Sequence, residues 1–371
     1  MLNRRDLLQT AFLGGGAALS SVAQPNVVHA AGKVTSLSAL AKQRGILFGT
    51  AIGPLVATNE AYRKIVVADA GIVVPEYEMK WRFIEKTQGV YDFSAVDRRL
   101  AFAQQNGMAF RGHTLVWHEA LPDWFSGAVT VDNAKEVMAS HITNVVGRYK
   151  GQIHSWDVVN EAIDVTPSGV GDLRNTPWLQ MIGPDYLEIA YRTAAAADPG
   201  AMLVYNDYGL VYASSGGDAK RAATLRMLER LVSRGVPIHA VGLQGHIEAP
   251  IRNFDPNILY RFCMDVAALG LKIMVTELDV SDQYAPADIA VRDAVVADAY
   301  KAILSCVLSV PATAAVITWG LSDIHTWLST SRPRSDGLPV RPLLYTDTMQ
   351  KKPAWDAVAR ALSTSSTKRS R

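Results

Sequence analysis

Cysteine is scarce in this 371-residue chain, with only Cys263 and Cys306. Two thiols exclude a disulfide-dense scaffold and a cysteine-rich metal centre. Neither sign of charge dominates: 37 basic residues face 35 acidic ones, for a formal charge of +2. That balance leaves no field to recruit nucleic acid or anionic lipid, and it is compatible with a neutral polymer. No Gly-x-Gly-x-x-Gly follows a strand pattern and no P-loop is present, so the usual phosphate-cradling signatures are missing. A Gly-x-Ser-x-Gly nucleophile elbow is missing too. Between Lys33 and Leu362 no Pro/Ser/Thr tract, charge block or short repeat marks a linker. With 49% of its residues apolar, the chain can bury a substantial core.

The first thirty residues read as an address. Arg4 and Arg5 precede an apolar stretch from Leu7 to Ala23, and Val28-His29-Ala30 offers small residues at cleavage-site positions. Asn3-Arg4-Arg5-Asp6-Leu7-Leu8 resembles a twin-arginine export signal, with an ordinary Sec signal as the alternative. The stretch is short and broken by three glycines, which argues against a permanent membrane anchor. The expectation is recognition by export machinery and a periplasmic or extracellular product. Residues 31–362 form the expected catalytic domain, and residues 363–371 a polar, frayed tail.

Apolar, β-branched runs alternate with polar loops and helical patterns, which predicts a parallel sheet covered by helices. Eight strands are expected: Ile46–Thr50, Ile72–Pro75, Ala109–Thr114, Ile153–Val159, Met202–Asn206, Ala240–Gly245, Lys272–Leu278 and Ala315–Trp319. Helices are expected over Asp218–Arg234, Pro256–Leu269 (with Gly270 as the stop) and about Asp288–Val310. The fold class is therefore α/β, a single (β/α)₈ TIM barrel, with a doubly wound open sheet as the alternative.

In such a barrel the chemistry sits at the C-terminal strand ends. Glu76, His113, Asn160-Glu161, Asn206-Asp207, Gln244 with His246, Glu277 with Asp279, and Trp319 fall there. Apolar strands ending in groups that need polar partners argue for a site. Glu161 and Glu277 each close a hydrophobic run, on the fourth and seventh expected strands. Two facing carboxyls can cleave a glycosidic bond: one protonates the leaving oxygen while the other attacks or activates water. Asn160 is placed to orient a sugar hydroxyl, and His246, backed by Asp279, to hold Glu277. His113 and His118 are five apart and run off a strand, unlike a helical His-x-x-x-His metal pair, so no metal is expected. Trp81, Trp117, Trp319 and Trp327 sit at or beyond strand ends, where flat aromatic faces suit pyranose rings, although any one of them could be a core residue.

These residues carry a family likeness. The chain resembles the xylanases of glycoside hydrolase family 10 from about Leu47 to Leu362. The matching motifs are Glu76-x-x-Met79-Lys80-Trp81, Gly112-His113-x-Leu115-Val116-Trp117-His118, Trp156-Asp157-x-x-Asn160-Glu161, Tyr205-Asn206-Asp207, Gln244-x-His246, Thr276-Glu277-x-Asp279, Trp319-Gly320, Asp323-x-x-x-Trp327 and Lys352-Pro353-Ala354. The resemblance implies retaining cleavage of internal β-1,4 bonds of xylan, without metal or organic cofactor; separately, a monomer is expected. It places the acid/base on Glu161, the nucleophile on Glu277 and nucleophile support on His246 and Asp279. Sugar contacts fall on Glu76, Lys80, His113, Trp117, Asn160, Gln244, Trp319 and Trp327. Retention implies carboxyls roughly 5–5.5 Å apart. One position departs: Tyr77 stands where the family usually has a sugar-binding asparagine, and a phenol cannot offer the same donor and acceptor pair. That leaves Tyr77 as a substrate-contact candidate and keeps a related β-glycan or short oligosaccharides open as substrate. A carbohydrate-binding barrel without catalysis is the alternative from another class, and the presence of both glutamates speaks against it. For Cys263 and Cys306, a disulfide and two buried thiols both remain open.

Overall fold

The computed structural model describes residues 36–364. Nine strands form one parallel sheet: β1 Leu47–Ile52, β2 Ile72–Pro75, β3 Ala109–Gly112, β4 Ser155–Asn160, β5 Met202–Asp207, β6 Ala240–Leu243, β7 His246–Glu248, β8 Lys272–Ser281 and β9 Thr313–Thr318. β1 to β6 pair in succession, β6 pairs with β8, and β8 with β9. β9 returns to β1 with Leu47 opposite Ala315, so eight strands close into a barrel. All eight expected strands are present, the open-sheet alternative is overturned, and helices fill the connections as in a (β/α)₈ fold.

Local chemistry explains the helices. Asp255 caps the helix Pro256–Ala268 by accepting from the Asn257 N–H, and Pro256 occupies its first turn. The chain leaves that helix through Gly270 at φ +81°, a left-handed conformation that glycine adopts at little cost. Ser214 and Asp288 likewise cap the helices Ser215–Ser233 and Ile289–Val307. Alternation along the strands splits the core in two. Ala51, Val74, Val204, Met274 and Ile317 belong to one buried cluster, within the barrel. The other strand face packs on the helices in a much larger cluster that includes Phe48, Phe110, Trp156 and Tyr205.

β7 is the element the sequence patterning does not reveal. Gly245, at φ +83°, separates it from β6, and three residues carry too little period-2 pattern to register. It pairs only with the extended β8, with His246 opposite Asp279. β8 itself runs to Ser281, three residues past its expected end. Ser363, expected in the tail, is the last residue of the helix Pro353–Ser363. The export signal at 1–30 and residues 365–371 lie outside the described residues. Cys263 and Cys306 are buried free thiols. The Cys306 thiol donates to the Pro256 carbonyl at 3.2 Å, and burial pushes its pKa up to about 11.

Candidate active site

A cavity of about 920 Å³ opens at the C-terminal strand ends. Glu161 follows β4 directly and holds φ +58°, an uncommon conformation for a residue with a side chain. Its N–H donates to the Asn206 carbonyl at 2.8 Å, which fixes that conformation against β5. Its carboxyl accepts from neutral donors: Trp117 Nε1 at 3.1 Å, Gln244 Nε2 at 2.9 Å and Asn160 Nδ2 at 3.3 Å.

Glu277 on β8 sits in a different field. Its Oε1 accepts from Asn206 Nδ2 at 2.7 Å and its Oε2 from His246 Nε2 at 3.3 Å. Burial works against its ionisation. The His246 hydrogen bond, the nearby His113 and His246 rings and the Asn206 amide outweigh that penalty and draw the carboxyl down to about 2. Burial likewise opposes charge on His246, but Asp279 and Glu277 win and push the imidazole up to about 10. His246 is thus an imidazolium held at Nδ1 by Asp279, at 2.8 Å. Trp327 Nε1 donates to the other Asp279 oxygen at 2.7 Å, and its ring meets His246 edge-on at 4.9 Å.

Asn206 connects the two carboxyls. Besides bonding Glu277, its amide donates to Asn160 Oδ1 at 2.9 Å, and its oxygen accepts from Thr276 Oγ1 at 2.6 Å. Gly242 on β6 makes room for it, because a Cβ there would lie 2.2 Å from Asn206 Oδ1. On the β2 side, Lys80 Nζ lies 4.8 Å from the Tyr77 ring centre, 5.2 Å from Trp117 and 6.0 Å from Trp319. Burial lowers the Lys80 pKa, against the pull of Glu277, Glu76, Glu161 and Glu119. Trp319 packs edge-on against His113 at 5.2 Å, and His113 Nδ1 bonds the buried Asp157 at 2.9 Å. Tyr77 stays 40% exposed on the cavity wall. Burial and then the Glu76 carboxylate push its hydroxyl up to about 12.

Two carboxyls in one cavity, one hydrogen-bonded by an imidazolium and the other by neutral donors, suit glycosidic chemistry. Residues 36–361 match glycosyl hydrolase family 10. The chain belongs to that family. It is 33% identical over 324 residues to endo-1,4-beta-xylanase 3 of Hypocrea jecorina, covering 87% of this chain and 84% of that relative. Among solved structures, xylanase 10B from Thermotoga maritima superposes with a TM-score of 0.80 at 32% identity, over 88% of this chain and 98% of the other. Xylanase 10B from Thermotoga petrophila RKU-1, in complex with xylobiose, gives 0.81 at 32% identity, over 89% and 98%.

Within this family 10 barrel the structure gathers Tyr77, Lys80, His113, Trp117, Asn160, Glu161, Gln244, His246, Glu277, Trp319 and Trp327 around one cavity. Glu76 lies behind that wall, 5% exposed, and accepts from His325 Nε2 at 3.0 Å. Asp279 is buried behind His246. Asp207, also at a strand end, is buried and committed to Lys220 at 2.7 Å.

Of the two alternatives left open for Trp81, the structure supports the core. Trp81 is 3% exposed, stacks on His141 at 3.6 Å and on Trp178 at 5.5 Å, and donates to Glu85 at 2.7 Å, so it belongs to the core. Trp81→Ala is expected to cost about 3–5 kcal/mol, read as a lowered midpoint in denaturant unfolding. Unchanged stability would return Trp81 to the cleft. His118 meets Trp117 edge-on at 5.9 Å, and no cluster of three potential metal ligands occurs among the described residues.

Tyr208 and Arg174 were not singled out from sequence. Arg174 donates to the Glu161 carbonyl and to the Tyr208 hydroxyl, each at 2.8 Å, and Lys220 lies 3.7 Å from the Tyr208 ring centre. The position of Tyr208, directly after Asn206-Asp207 at the end of β5, is the signal that marks it. Arg174 lies 13 residues past Glu161 in a long loop and gives no such signal.

Proposed function

We propose that this family 10 member is a retaining endo-β-1,4-xylanase with Glu277 as nucleophile and Glu161 as acid/base. The observation that carries the reading is the asymmetry just described, across one amide network. Glu277, ionised beside the His246 imidazolium, attacks the anomeric carbon while Glu161 gives its proton to the departing glycosidic oxygen. The bond from carbon to leaving oxygen breaks as the bond to the Glu277 carboxylate forms. Glu161 then takes a proton from water, whose oxygen displaces Glu277 with a second inversion. Asn206 couples the positions of the two carboxyls, and Lys80 and Asn160 are placed for sugar hydroxyls.

Endo action fits the shape. The cavity runs from Tyr77 and Lys80 on the β2 side to Tyr212 and Arg252 beyond β5 and β7, with both glutamates between. A chain can therefore extend past the cleavage point in both directions. The relatives named above are xylanases, which favours xylan. Exposed Tyr77 supports a second reading in which another β-glycan is accepted. Incubation with glucuronoxylan, arabinoxylan, mixed-linkage glucan and carboxymethylcellulose separates the two. Short xylo-oligosaccharides with the glucans nearly intact support xylanase action. Glucan cleavage alone overturns it.

Residues 1–30 are proposed as an export signal that directs a monomeric barrel out of the cytoplasm, and N-terminal sequencing of the exported protein tests this. No helix among the described residues is long and apolar enough to cross a membrane.

The His246 relay makes a pH prediction. Asp279 is the largest contributor raising the His246 pKa, so Asp279→Asn is expected to lower it and weaken the positive charge beside Glu277. The Glu277 pKa then rises, because His246 is one of the groups that hold it down. The acid limb of kcat/KM, which needs Glu277 ionised, is expected to move up by about 1–2 pH units. An acid limb that stays in place would exclude this coupling.

A further inference from the structure

Among the described residues, two cations on the cleft wall, Lys80 and Arg252, form no ion pair, and the other lysine and arginines there are committed. Lys220 pairs with Asp207 at 2.7 Å, Arg332 pairs with Glu248, and Arg174 bonds the Glu161 carbonyl and the Tyr208 hydroxyl. Lys80 sits among aromatic rings and glutamates. Arg252 is exposed on the same wall and forms no ion pair with any described residue.

Its backbone is tied down on the C-terminal side. The neighbouring Asn253 carbonyl accepts from the Ala213 N–H at 2.5 Å, and Asp255 caps the next helix. Glu248, a carboxylate of the same wall that would repel an anion, is neutralised by Arg332. A neutral xylan backbone offers only hydroxyls and ring faces, which do not require a guanidinium. The planar fork of arginine matches a carboxylate bidentately. We propose that Arg252 binds the carboxylate of a uronic acid branch, making uronate-substituted xylan the favoured substrate class. This rests on the xylanase reading above.

The test uses xylo-oligosaccharides of equal backbone length carrying a glucuronic acid branch, or the same branch with its carboxyl reduced to an alcohol. The readout is the ratio of kcat/KM for the acidic over the reduced substrate, in wild type, Arg252→Ala and Arg252→Lys. An exposed ion pair predicts a ratio that falls about 2–5-fold in Arg252→Ala, with partial retention in Arg252→Lys. The wild-type advantage should fade near 1 M salt, where the Debye length is about 3 Å. A ratio unchanged by Arg252→Ala, or a drop that is equal for both substrates, would overturn the proposal. Failure of wild type to cleave any of these oligosaccharides would count against xylanase action instead. In that case calorimetric binding of the same acidic and reduced ligands to wild type and Arg252→Ala still decides the role of Arg252.

Discussion

Glu277→Ala is expected to lower kcat on every glycoside by about 10⁴-fold or more, while the protein stays folded. The loss is general because every glycoside, whatever its leaving group, must pass through the covalent step. Glu277 is also a hub whose removal leaves the Asn206 amide and the His246 imidazolium without their shared acceptor. Some destabilisation accompanies the substitution, so activity is read on protein shown to be folded by circular dichroism. Azide is expected to restore part of the rate by occupying the space of the lost carboxylate and attacking in its place, giving a glycosyl azide of inverted configuration. A residual rate within about tenfold of wild type would contradict the assignment, since removing a covalent nucleophile does not leave that much catalysis.

Glu161→Ala is expected to discriminate between substrates. On xylan, whose leaving group is a poorly acidic sugar hydroxyl, loss of general acid catalysis costs about 10²–10⁴-fold. On an aryl xylobioside with a strongly acidic phenol the first step needs little protonation and survives. The second step then limits, because no carboxylate activates water, and glycosyl-enzyme accumulates. Azide needs no base, so it is expected to restore turnover and give a product of retained configuration. The contrast with Glu277→Ala in both leaving-group dependence and product configuration separates the two roles. Equal losses on xylan and on the activated glycoside would contradict the role given to Glu161.

Much of the barrel was legible because buried parallel strands carry dense β-branched and apolar runs, and Asp255, Pro256 and Gly270 mark helix ends chemically. The two glutamates were legible for the same reason: a carboxylate closing an apolar strand is conspicuous. β7 was not, since three residues after a glycine carry almost no periodic signal. Sequence left Trp81 open between cleft and core because its place beyond β2 resembles that of Trp117 beyond β3. What separates them is long-range packing: Trp81 meets His141 and Trp178 from distant helices, while Trp117 bonds Glu161 at the cleft. The outer wall was least legible. Arg174 and Arg252 reach the cavity from loops, and loop placement depends on tertiary contacts such as the Ala213–Asn253 hydrogen bond rather than on any local pattern.

The most direct test of the central claim is to trap the covalent intermediate. A 2-deoxy-2-fluoro-xylobioside with an activated leaving group forms the glycosyl-enzyme faster than it is hydrolysed, and peptide mapping by mass spectrometry then locates the label. The account predicts one equivalent of sugar esterified to Glu277 and a β-configured first product from the natural substrate. Label on another carboxylate, or no label together with an α-configured first product, would contradict it.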